Sequence, residues 1–96
     1  MDELRWLQEW FQSCCNGDWE HLYGVNIDTL DNPGWILKIN LINTKLENKE
    51  FKEKTIEIDE ENWFRCWTSE NCFCGVGGTK NLADIIRCFR LWAEET

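Results

Sequence analysis

No apolar run in this 96-residue chain approaches the roughly 20 residues that a membrane-spanning helix needs. The opening residues Met1-Asp2-Glu3-Leu4-Arg5 lack the basic region and apolar core of a secretory signal, so the expected location is the cytoplasm. Basic side chains are scarce, ten against 18 acidic ones, for a net charge of −8. That balance argues against a nucleic-acid binder, which normally carries a basic face. His21 is the only histidine, so acid–base chemistry has few places to start. There is no Cys-x-x-Cys pair, no Walker A spacing, no internal repeat and no low-complexity segment. Without a secretion signal, the six cysteines read as reduced, small buried hydrophobes, and Cys14 and Cys88 fall on the apolar faces of helical patterns.

What the chain does hold is aromatic mass. Seven Trp, five Phe and one Tyr suit a single domain, residues 1–96, that must build an efficient core from little length. The pattern is organised around Trp19–Leu41. Two alternating runs flank Asn32-Pro33-Gly34, a hairpin signal in which Pro33 presets φ and Gly34 is suited to a positive φ. Val25, Ile27 and Thr29 share one face of the first run, and Trp35, Leu37, Ile39 and Leu41 one face of the second, with Lys38 and Asn40 opposite. Before the hairpin, Leu4, Leu7, Phe11 and Cys14 recur at helical spacing over residues 2–14, which Asn16-Gly17 is expected to end. After it come a polar loop over 43–50, strands over 51–59, 63–68 and 72–76, and a break at Gly77-Gly78. A last helix over 81–94 carries the stripe Leu82, Ile85, Ile86, Phe89, Trp92 and Ala93, with Asn81 as its N-cap and Asp84 in its first turn. The expected fold is α+β: about five antiparallel strands without a long crossover, with the two terminal helices on one face.

Four groups of residues invite a chemical reading. Cys74-Gly75-Val76-Gly77-Gly78-Thr79-Lys80 resembles a thiol loop leading into a helix N-terminus, the arrangement of a sulfurtransferase. Against it stand the absence of an arginine in the loop and the antiparallel pattern; a strand end and helix lead-in is the simpler account. Cys66, Cys72 and Cys74, with Cys14, Cys15 or His21, invite a zinc reading, but Cys72-x-Cys74 has the wrong spacing for a zinc knuckle. His21 with Asp18 and Glu20 lacks a neighbouring nucleophile. The acidic segment Glu47–Glu61 reads either as a solvated sheet edge or as a surface for a basic partner.

Several strings together resemble the immunity protein 53 family of bacterial polymorphic-toxin systems. They are Trp6-Leu7-Gln8-Glu9-Trp10-Phe11, Asn16-Gly17-Asp18-Trp19-Glu20-His21, Tyr23-Gly24-Val25, Thr29-Leu30-Asp31-Asn32-Pro33-Gly34-Trp35, and Gly75-Val76-Gly77-Gly78 followed by Asn81-Leu82. The similarity runs from about Leu4 to Trp92; Cys14, Cys15, Cys72, Cys74 and Cys88 depart from the pattern. The resemblance implies a small cytoplasmic antitoxin that binds and neutralises a cognate toxin protein by stoichiometric occlusion, with no cofactor, no metal and no catalytic residues. Trp19, Glu20, His21, Asp28, Asp31 and Trp35 are the residues we expect at that interface. The alternative is a thiol-dependent sulfurtransferase-like enzyme acting through Cys74. Monomer and homodimer are both compatible with the sequence.

Overall fold

A computed structural model describes residues 2–95. Helix α1 (Glu3–Cys14) starts where Asp2 caps it, its carboxylate accepting from the Leu4 amide at 2.9 Å. A short helix α2 (Trp19–Leu22) follows, then strands β1 (Val25–Leu30), β2 (Gly34–Asn40), β3 (Lys54–Asp59), β4 (Asn62–Ser69) and β5 (Cys72–Gly77), and helix α3 (Leu82–Glu94). All pairings are antiparallel, and the two long helices stand on one face, as the residue pattern implies.

The strand order, β1-β2-β5-β4-β3, is not a meander. Residues 41–53 carry the chain from β2 to the far edge, and the last strand inserts between β2 and β4, which makes a Greek key. This corrects the expectation of hairpins without a crossover. The connection is also less polar in role than in composition. Leu46 is buried in the core, the Lys49 ammonium donates to the carbonyls of Trp92 and Glu95 (2.6 Å each), and the Trp92 indole donates to the Glu50 carbonyl (2.9 Å). Lys49 thus satisfies carbonyls that the end of α3 would otherwise leave open.

Three local expectations are corrected. The first helix ends at Cys15 in an extended conformation, before Gly17, whose φ of +95° serves the lead into α2 instead. Trp19–Leu22 forms a helical turn and not the start of the hairpin. Gly34 lies within β2, paired with Leu30 and without a positive φ, behind a cis Asn32–Pro33 bond. It is needed because a Cβ there would strike the carbonyl oxygen of Gly77 on the neighbouring strand. Positive φ values fall instead on Glu70 (52°) and Asn71 (62°), the two-residue turn that joins β4 to β5.

The core lies between the sheet and the helices. Leu37, Ile39, Phe73 and Cys66 of the sheet and Ile85 and Phe89 of α3 are all fully buried. Phe89 sits among the rings of Trp6, Trp10, Phe73 and Trp92, with centroids 5.0–6.1 Å away. Helix α1 packs chiefly on α3, reinforced by the Arg90–Glu3 ion pair at 3.1 Å. Asn81 occupies the N-cap position but does not cap α3 with its side chain. Only 2% exposed, that side chain accepts from the Trp63 amide (3.3 Å) and donates to Asn62 and Asp84 (2.8 Å each), tying the β3–β4 turn to the helix. Asn81→Leu leaves those groups unpaired, and we expect it to cost about 2 kcal/mol in a urea titration.

Candidate partner-binding site

The strand register sorts every sheet residue to a face. Leu37, Ile39, Phe73, Gly75, Cys66 and Phe64 point to the helices. Their alternates point away from them. Asp28 on β1 is opposite Ile36 on β2, which is opposite Val76 on β5, then Arg65 on β4 and Thr55 on β3. The adjacent row is Asn26, Lys38, Cys74 and Trp67. At one end stand Leu30 and, across the sheet, Trp63 opposite Glu57. Ile36, Val76, Cys74, Trp67, Trp63 and Leu30 are all half-buried on the side that the helices leave open. A sheet face turned to water is normally polar; this one carries two tryptophans and three aliphatic side chains. Arg65 lies over the Trp67 ring, 4.9 Å from its centroid, and pairs with Glu53 at 3.0 Å.

The turn end of this face is acidic. Asp28, Asp31, Glu57, Asp59 and Glu60 are all exposed there. The β1–β2 and β3–β4 turns approach one another across a cleft of about 500 Å³, with Asn32 on one side, Trp63 in the floor, and Glu57, Ile58, Asp59 and Glu60 on the other.

The structure scatters the six residues expected at the interface. Trp19 is 3% exposed, with its indole donating to the Ile42 carbonyl (2.8 Å) and its ring against Trp10, Phe11 and Tyr23; it is a core group and not a surface anchor. Glu20 holds the α1–α2 corner, its carboxylate accepting from the amides of Asn16 (2.9 Å) and Gly17 (2.8 Å) while the Asn16 side chain accepts from those of Asp18 and Trp19 (2.9 Å each). His21 is exposed in the last turn of α2. Trp35 sits on the helix side of β2 and donates from its indole to the Thr79 carbonyl (2.9 Å). Of the six, Asp28 lies on the open face and Asp31 at its acidic end. The open face also carries Trp63 and Trp67, which belong to Trp63-Phe64-Arg65-Cys66-Trp67, a strand whose two faces are both apolar.

Glu20 has a pH signature. Its own backbone amide first, then that of Asn16, donates to the carboxylate and holds its pKa below the ordinary glutamate value. A lowered folded pKa contributes stability above the unfolded value of about 4.3 and loses it as pH falls through the folded one. We expect Glu20→Gln to remove part of the acid-side fall in thermal midpoint and leave the slope near neutrality unchanged.

The thiol readings meet a different geometry. Cys74 stands in the middle of β5, the central strand, and not on a loop before α3. Burial, and then the neighbouring Cys72, push its thiol up from the ordinary value, the reverse of what a nucleophile requires. Cys72 and Cys74 face the open side whereas Cys66 faces the helices, so these three do not converge on one point. Cys66 hydrogen-bonds with Cys88 of α3, and that bond together with burial pushes the Cys66 thiol up.

With the geometry established, comparison with known families is informative: residues 4–94 match the family described as Immunity protein 53. The chain belongs to the Immunity protein 53 family. Neither curated proteins nor solved structures give a match. The matched span takes in every strand and helix of the fold except the Glu3 end of α1, so Immunity protein 53 membership applies to the whole domain. Among the described residues, no helix is long and apolar enough to cross a membrane.

Proposed function

We propose that this immunity protein binds a cognate polymorphic-toxin domain in the cytoplasm of the cell that it protects and neutralises it by stoichiometric occlusion, without chemistry of its own. The observation that carries the reading is family membership over residues 4–94. The acidic charge supports it as the steering field for a basic toxin. The test is protection: cells expressing the cognate toxin domain should survive when the chain is co-expressed. Titration of purified toxin should reach full inhibition at an equimolar ratio. Turnover, with one chain inactivating many toxin molecules, is the contrary result. Because the net charge is −8, the association rate should fall about tenfold between roughly 50 and 500 mM salt, while the dissociation rate changes little.

A further inference from the structure

We propose, on the basis of the immunity reading, that the toxin docks on the open face of the sheet, with an apolar anchor over Trp67, Val76 and Ile36 and flanking lysines or arginines toward the β1–β2 and β3–β4 turns. Three observations favour this surface. First, the side chains at its centre are apolar and half-exposed in an unbroken patch across β2, β5 and β4, as the core of an interface is. Tryptophan and arginine, the residue types that dominate binding energy, are already stacked there as Trp67 and Arg65.

Second, charge selects the occupant. Asp28, Asp31, Glu57, Asp59 and Glu60 line one end of the face. The cations on the face are Lys38 and Arg65, and Arg65 is already neutralised by Glu53. The rival surface is the furrow of about 580 Å³ between α3 and the start of β3, walled by Lys49, Lys52 and Lys54 against Glu50 and Glu95. It offers a basic partner no comparable attraction.

Third, size requires the turns to take part. Five strands about 4.8 Å apart and six residues long at about 3.3 Å per residue make a face of roughly 24 by 20 Å, about 480 Å². A stable interface covers about 800 Å² of each partner. The acidic turns and the cleft floored by Trp63 supply the remainder, so steering groups and anchors belong to one continuous surface.

The test uses the full chain and the purified cognate toxin domain. Trp67→Ala and Ile36→Arg should each weaken Kd at least about 30-fold, by faster dissociation. Glu57→Gln combined with Glu60→Gln, both exposed and outside the core, should instead slow association about tenfold at low salt and flatten its salt dependence. Leu91→Ala and Leu4→Ala, exposed on the helix side, should leave Kd within about twofold. Circular dichroism accompanies each variant, and if a face substitution unfolds the chain the paired glutamine variant still decides the matter. Native affinity in the folded face variants, or a loss confined to Leu91 or Leu4, overturns the proposal. So does a native dimer that Trp67→Ala dissociates, because the face would then belong to a second copy. A native chain that binds no toxin at all overturns the immunity reading itself, a result that the face variants cannot mimic.

Discussion

Phe89→Ala is expected to cost about 3–5 kcal/mol, the largest loss of any single truncation in this protein. The residue has no exposure and meets rings from α1, from β5 and from its own helix, so nothing nearby can close the hole. A domain of this size has only about 5–15 kcal/mol in total. At about 4 °C or more per kcal/mol, the thermal midpoint should fall by at least about 12 °C. The measurement is a denaturant titration with an unchanged m-value. A fall below about 1 kcal/mol would mean that the aromatic cluster repacks, and that α1 is held by contacts other than these.

Gly75→Val should be a damaging enlargement, at about 3 kcal/mol. A Cβ on Gly75 would meet the Cγ2 of Ile85, itself fully buried in α3, in the centre of the sheet. Helix and strand must part, or Ile85 must leave its rotamer. The cause can be isolated. Ile85→Ala removes the obstructing atoms, so the double variant should be at least about 1 kcal/mol more stable than the sum of the two single losses predicts. Simple additivity would place the damage in the strand backbone instead.

Gly75 also marks the boundary of what the residues disclosed. The β2 pattern from Trp35 to Leu41 was legible because one face is buried and a period of two follows directly. Helix α3 was legible because a continuous stripe at helical spacing admits no other element of that length. Gly75 falls inside a short strand and Gly77 reads as its break, since glycine weakens a strand on local grounds and gives no sign of what lies above it. Their reason is tertiary: they lie beneath Ile85 and let α3 settle close on the sheet. Strand order was hidden for the same kind of reason, because the partner of β2 lies more than thirty residues away and local spacing carries no trace of it. Trp19 and Trp67 show the limit for the candidate site. Both are tryptophans near charged residues, yet one fills the core and the other faces outward. Only the register of Trp67 against Cys74 assigns it to the open side. Asp31 and the glutamates of the β3–β4 turn were legible as charge, but not as neighbours across a cleft.

The insertion of β5 between β2 and β4 sets the order of events during synthesis. Translation proceeds at about 5–20 residues per second, so β1–β2 and β3–β4 emerge from the ribosome before the strand that joins them. Until Cys72–Gly77 clears the exit tunnel, each ribbon presents a bare row of amides and carbonyls to any passing nascent chain. Closure of the sheet therefore waits for the last quarter of the chain and comes with that closing segment.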